Sequence, residues 1–95
     1  MDEMQGIFLF DPDDRIYQEH FPGNPIVPGS VIIDSFLSVL KRAGRVSDGV
    51  VIERLRFRSF VFPGECTYRL RFGSDGIACE LYQDDQLKVT GRLKP

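Results

Sequence analysis

The stretch His20-Phe-Pro-Gly-Asn-Pro-Ile-Val-Pro-Gly-Ser-Val-Ile-Ile-Asp-Ser-Phe-Leu-Ser38 decides how this chain is read. It holds the one histidine of the sequence and three of its six prolines. Pro22, Pro25 and Pro28 each fix their own φ and restrict the residue before, so Phe21 to Gly29 is expected to be a stiffened, irregular loop. Gly23 and Gly29 permit backbone geometries or close approaches that a side chain would block. Ser30 has the chemistry of an N-cap for the helix that follows. A rigid loop thus carries one imidazole toward a helix N-terminus, an arrangement suited to proton transfer.

The pattern from Val31 to Ala43 predicts that helix. Val31, Ile32, Ile33, Phe36, Leu37, Val39, Leu40 and Ala43 cover most of its circumference, and a helix apolar nearly all round is expected to be buried. Ser30, Asp34 and Ser38 follow one another at intervals of four and form a narrow polar stripe. Asp34 is then expected to be a carboxylate one turn into a buried helix, hydrogen-bonded or lining a cavity because an unpaired buried charge is costly. A purely structural, hydrogen-bonded acid is the other reading. Lys41, Arg42 and Arg45 near the end suit the negative pole of the helix, and Gly44 can stop it.

Within this stretch, His20-Phe-Pro-Gly-x-Pro-x-x-Pro-Gly29 with an acid at Asp34 resembles the signature of the β-hydroxyacyl-acyl-carrier-protein dehydratases. It has seven fixed positions in ten, with the acid fourteen residues after the histidine. Phe57-Arg-Ser-Phe-Val-Phe-Pro-Gly-Glu65 is similar to the strand and Pro-Gly turn that follow the helix in that family, so the resemblance spans roughly residues 14 to 94. The resemblance implies a hot-dog fold, in which a curled antiparallel sheet wraps one long helix, and dehydration of 3-hydroxyacyl thioesters to trans-2-enoyl thioesters in fatty acid or related lipid synthesis. It implies His20 and Asp34 as the catalytic pair and the Gly29 N–H as donor to the thioester oxygen. Phe21, Pro28, Ser30 and Ser38 would then lie along the substrate. In this family the histidine and the acid of one site come from different subunits, which implies a homodimer or a larger homo-oligomer. No metal or organic cofactor is implied. Asp34 stands where many members carry glutamate, and Ser38 where glutamine is frequent.

The chemistry of the residues is consistent with those roles. Imidazole titrates near neutrality and suits abstraction of the C2 proton. An acid in an apolar setting suits protonation of the departing hydroxyl. Sequence does not settle which of His20 and Asp34 moves which proton. Two other functions remain open: a hot-dog thioesterase, and a module that binds acyl thioesters without turnover.

Around that stretch, the pattern predicts one α+β domain over residues 1–95. Gly6 to Phe10 reads as a strand and Asp11-Pro-Asp-Asp14 as a turn. Arg15 to Glu19 reads as a brief extended segment. From Val50 the period changes to two. In Glu53 to Val61, Leu55, Phe57 and Val61 alternate with Arg54, Arg56 and Arg58. Cys66, Tyr68, Leu70 and Phe72 alternate with Thr67, Arg69 and Arg71. Gly73-Ser-Asp-Gly76 and Gln83-Asp-Asp-Gln86 read as turns, the first a strong hairpin signal. Ile77, Cys79 and Leu81, then Leu87, Val89 and Leu93 in alternation with Lys88, Thr90, Arg92 and Lys94, complete a meander with one apolar face.

Charge bounds the partners. A net charge of −2 argues against a nucleic-acid protein. Residues 1–24 hold six acids against Arg15 alone, whereas arginines crowd the later strands. Arg54, Arg56, Arg58, Arg69 and Arg71 are expected on the outward face of neighbouring strands with few acids beside them. They form either a solvated face or a docking surface for acidic acyl carrier protein, which would also attract coenzyme A phosphates. Cys66 and Cys79 have neither metal-ligand nor CxxC spacing and read as buried, reduced residues of a cytoplasmic protein. No stretch approaches the ~20 apolar residues of a membrane span, and the acidic N-terminus lacks the order of a signal peptide.

Overall fold

A computed structural model describes residues 2–19, 23, 25–46 and 49–94. Its elements in chain order are β1 (Asp2–Phe10), α1 (Arg15–Glu19), α2 (Gly29–Arg42), β2 (Val51–Phe57), β3 (Gly64–Gly73), β4 (Gly76–Gln83) and β5 (Gln86–Lys94). The strands form one antiparallel sheet in the order β1-β3-β4-β5-β2. Consecutive β3, β4 and β5 are joined by tight hairpins, whereas β1 and β2, the strands flanking the helices in sequence, become the two edges.

Period-two patterning builds the inner face. Cys66, Tyr68 and Leu70 on β3, and Ile77, Cys79 and Leu81 on β4, are all buried, as alternation across a pleated strand requires. Ser74 and Asp75 close the first hairpin between Gly73 and Gly76. Asp84 and Asp85 close the second at φ 52° and 62°, the left-handed conformation at both central residues that matches the twist of paired strands.

Helix α2 presents Ile32, Phe36 and Leu40, four residues apart, to this face, and all three are buried. Phe8 of β1 stacks on Tyr68 with ring centroids 4.3 Å apart, while Phe36 meets Phe8 edge-on at 5.3 Å. Gly6 leaves the room for this cluster, since a Cβ there would come within 2.7 Å of the Tyr68 ring carbons. Burying a side chain such as Phe36 contributes about 1.5–3 kcal/mol. Helix α2 ends in a Schellman turn: the N–H groups of Gly44 and Arg45 donate to the carbonyls of Lys41 and Leu40, with Gly44 at φ +70°. Arg45 then lies 3.9 Å above the Phe72 ring and pairs with Asp2.

Several local expectations are corrected. Residues Arg15–Glu19 form helix α1 rather than an extended segment. The Ile16 N–H donates to the Asp14 carboxylate (3.1 Å) and the Tyr17 N–H to the Asp14 carbonyl (3.1 Å), so the turn residues cap a helix. β1 starts at Asp2 instead of Gly6, because every residue to Phe10 finds a partner on β3. Pro28, with no side-chain cap, is the N-cap of α2, and Ser30 is an exposed residue inside the first turn. β2 ends at Phe57; Val61 is buried beyond it, its carbonyl accepting from the Val27 N–H at 2.8 Å.

Lys88 departs furthest from its pattern. Leu81 pairs with Val89 but Tyr82 with Leu87, so Lys88 is the extra residue of a bulge. A bulge re-aims a side chain, and Lys88 is 7% exposed instead of facing solvent.

Candidate active site

The second half of the proline-glycine loop meets the end of β2 in a depression of about 380 Å³. Ile26, Val27, Pro28, Phe57 and Phe60 make it apolar, and Gly29 and Ser59 also line it. Pro28, extended at φ −63° and ψ 148°, starts α2, and its carbonyl accepts from the N–H groups of both Val31 (3.1 Å) and Ile32 (3.2 Å). Among the described residues the N–H groups of Gly29 and Ser30 have no hydrogen-bond acceptor. These free donors at the positive pole of a helix suit a developing negative charge. Phe57 covers Gly29 so closely that a Cβ there would stand 2.8 Å from the ring Cζ. Thus Pro28 and Gly29 share one depression. Ser30 is outside its lining, and His20 and Phe21 lie outside the described residues.

Asp34 is placed otherwise than expected. It is exposed and lines a separate, open depression of about 280 Å³ with Phe8, Val31, Ser35, Ser38 and Arg42. The polar stripe Ser30, Asp34, Ser38 is exposed along its length because the core takes the Ile32, Phe36, Leu40 stripe instead. The expected burial of the carboxylate therefore fails in the single chain, although Asp34 and Ser38 do share a depression. Among the described residues the Asp34 carboxylate has no hydrogen bond or ion pair. Five helical positions separate Gly29 from Asp34, roughly 7.5 Å of rise and 140° of rotation, so the two point to different sides of α2.

The arginines fall into two groups. β3 and β2 are separated in the sheet by β4 and β5, which corrects their expected adjacency. Arg69 pairs with Glu3 (3.1 Å) and Arg71 with Glu80 (3.5 Å), so the β3 pair is neutralised on the outer face. Arg54 and Arg56, with Arg58 just beyond β2, form no ion pair among the described residues. Arg54 stands directly across from Arg92, whose own charge is met by Asp75 at 2.9 Å.

Sequence reasoning missed the polar support beneath the depression. Lys88 Nζ donates to Ser59 Oγ at 3.0 Å and lies 5.6 Å from the Phe62 ring centroid. Gln83, 8% exposed, grips the Phe62 backbone: it accepts from the Phe62 N–H (3.0 Å) and donates to the Phe62 carbonyl (2.8 Å). No alternation rule exposes the bulge that turns Lys88 inward, so the sequence carried no signal for it. Cys66 and Cys79 are free and buried as expected. Burial pushes the Cys66 thiol up to about 11 and the Cys79 thiol up to about 12.

A family model described as ApeI-like, ApeI dehydratase, matches residues 1–91. The chain belongs to the ApeI-like dehydratase family. This ApeI-like chain is also 31% identical to the 3-hydroxyacyl-acyl-carrier-protein dehydratase FabZ of Symbiobacterium thermophilum, over 86% of the chain and 68% of that protein. FabZ of Lactobacillus helveticus is 27% identical over 85% of the chain and 64% of its own length. The chain therefore spans about two thirds of these relatives. Among solved structures, the dehydratase heterocomplex ApeI:P from Xenorhabdus doucetiae matches with a TM-score of 0.77 at 22% identity, covering 97% of this chain and 85% of that one. Its likeness shows the fold: the curled five-stranded sheet and helix of this ApeI-like protein are a hot-dog fold. Dehydration of 3-hydroxyacyl thioesters is the activity that the family membership and the FabZ likeness support. Among the described residues no helix is long and apolar enough to cross a membrane.

Proposed function

We propose that this single hot-dog domain removes water from 3-hydroxyacyl thioesters carried on acyl carrier protein, with His20, Asp34 and Gly29 as its working groups. His20 takes the C2 proton, the electron pair moves through the enolate, and the C3–O bond breaks as Asp34 delivers a proton to the departing hydroxyl. The products are a trans-2-enoyl thioester and water. The Gly29 N–H donates to the thioester oxygen while it carries negative charge. The observation that supports this reading is that Pro28 and Gly29, at the N-terminus of α2, line one apolar depression, with no acceptor for the Gly29 N–H among the described residues. Phe21 and Pro28 would flank the acyl group, and Ser38 would stand beside Asp34; Ser30, outside that lining, is left to the helix surface.

Gly29 and Asp34 lie on different sides of α2, and both depressions are open. A second copy that brings its Asp34 toward the loop of the first would complete two sites at once, so the working unit is a homodimer. Edge strand β2 with exposed Val51, Ile52 and Phe57 offers the surface, since an apolar edge invites pairing. The ApeI of Xenorhabdus doucetiae occurs in a heterocomplex, which makes a different hot-dog partner the second reading. Arg54, Arg56 and Arg58, without an ion pair among the described residues, suit docking of an acidic carrier protein better than Arg69 and Arg71, whose charges are met by Glu3 and Glu80.

The test is a hydration–dehydration assay with crotonyl and 3-hydroxybutyryl thioesters on carrier protein and on coenzyme A, together with the mass of the assembly in solution. Reversible enoyl formation by a homodimer, abolished by His20→Ala and Asp34→Asn, is expected. A folded homodimer with no turnover on either carrier would overturn the reading. Turnover that appears only with a different hot-dog chain would establish the heteromeric form.

A further inference from the structure

The Lys88 and Ser59 pair lies outside every role assigned so far. Lys88 carries an ammonium on a side chain that the bulge has turned inward, leaving the residue 7% exposed. A buried cation is retained only against a strong compensating interaction. Its one hydrogen bond among the described residues is to Ser59 Oγ, at 3.0 Å. An ammonium only donates, so Ser59 must accept, and its own O–H then points elsewhere. No acceptor for that hydroxyl exists among the described residues. Ser59 lines the apolar depression that Gly29 also lines, and its neighbours there, Ile26, Pro28, Phe57 and Phe60, offer no polar side chain.

Resting on the dehydratase reading above, we propose that Ser59 donates a hydrogen bond to a carbonyl oxygen of the bound thioester substrate, with Lys88 as the residue that positions the hydroxyl. The ammonium behind Ser59 polarises its O–H, since a hydrogen bond accepted from a cation strengthens the one donated onward. The segment holding Ser59 is fixed from both sides: the Arg58 N–H donates to the Lys88 carbonyl at 2.8 Å, and Gln83 clasps Phe62. Ser59 is itself exposed in the open depression, so the hydroxyl is a preorganised donor that water meets in the free protein and that a bound thioester would cover, placing it against charge that develops during reaction. A thioester carries carbonyls of two kinds that could meet it, the reacting C=O and the amides of the pantetheine arm.

Kinetics of Ser59→Ala, Ser59→Thr, Lys88→Met and the double Ser59→Ala/Lys88→Met variant test this. The double variant removes the buried charge together with its acceptor, so that misfolding does not mask the outcome. If the reacting carbonyl is the partner, Ser59→Ala and the double variant lower kcat on the order of 10²-fold. The carbonyl stretch of bound crotonyl thioester, labelled with carbon-13 at C1, then moves to higher frequency. If a pantetheine amide is the partner, KM rises at unchanged kcat and the labelled band stays in place. In either case Ser59→Thr restores most of the effect, and Lys88→Met gives a smaller loss in the same parameter. Unchanged kcat and KM in a folded double variant would overturn the proposal while the dehydratase reading stands. Wild-type protein that converts no thioester would overturn both.

Discussion

The aromatic ring of Phe57, at the end of β2, closes over Gly29, at the start of α2, leaving no space for a Cβ: one placed there would lie 2.8 Å from the ring Cζ. Gly29 serves this close contact rather than a positive φ, since it opens helix α2. This contact joins the edge strand to the helix N-terminus that is proposed to hold the thioester oxygen, so the packing of β2 sets the depth of the site.

Phe57 is 49% exposed and its ring tip can swing toward solvent, so Gly29→Ala is expected to cost no more than about 1 kcal/mol and to lower turnover as the ring or the helix start is displaced. Gly29→Ala combined with Phe57→Leu should regain most of the lost stability. Thermal melts of the three variants decide it; additive losses in the double variant would show that the ring is not the obstacle.

Asp34→Asn separates function from stability. The carboxylate is exposed and without a partner among the described residues, so the variant should keep its unfolding free energy within ~0.5 kcal/mol. Dehydration should still fall at least ~10²-fold, the scale of a lost general acid. Urea denaturation beside the enoyl-absorbance assay reads both.

Gln83→Ala removes two hydrogen bonds to the Phe62 backbone and leaves that N–H and carbonyl unsatisfied, at a cost of about 1–3 kcal/mol. Hydrogen exchange should accelerate first at Phe62, because the residue no longer has its clasp. Equal acceleration across β3 and β4 would mean that Gln83 supports the whole sheet.

The cysteines set an alkaline limit. Their ordinary value of 9.0 is raised in the fold, to about 11 for Cys66 and about 12 for Cys79. Between those values the unfolded chain binds fewer thiol protons than the native one, so stability declines as pH rises. The contribution is whole below about pH 9 and drains away through pH 11 to 12. Cys66→Ala/Cys79→Ala should flatten that part of the stability–pH curve, measured by urea midpoints from pH 8 to 11.

Arg54→Ala/Arg56→Ala should raise KM for substrates on carrier protein and leave short thioesters unaffected, with a salt dependence that weakens in the variant. Arg69→Ala/Arg71→Ala should change KM little, because Glu3 and Glu80 already meet those charges. Equal effects of the two double variants would point to general attraction by the whole outer face.

Much of the architecture was legible in the residues. Alternation in β3 and β4 named the buried side chains, because a strand wetted on one face and packed on the other admits no other pattern. Gly73 to Gly76 and Gln83 to Gln86 marked both hairpins, and Gly44 the helix stop, since those turns demand particular backbone conformations. Arg15–Glu19 was misread because the Asp14 cap acts on only five residues, too few to show a helical period.

The candidate site divides along the same line. Pro28 and Gly29 meet in one depression, where Pro28 fixes the extended entry to α2 and a glycine admits the Phe57 ring, and both residues are written in the chain order. What the tertiary structure alone decided is which surfaces became edges and faces. Pairing placed β2 beside β5 rather than β3, which left Arg54 and Arg56 without the acids that meet Arg69 and Arg71. It left Asp34 on the uncovered side of α2, because a single sheet can bury only one stripe of a helix. One surplus residue in β5 turned Lys88 from solvent to the underside of Ser59. Strand register depends on contacts between segments far apart in sequence, and no local pattern encodes it.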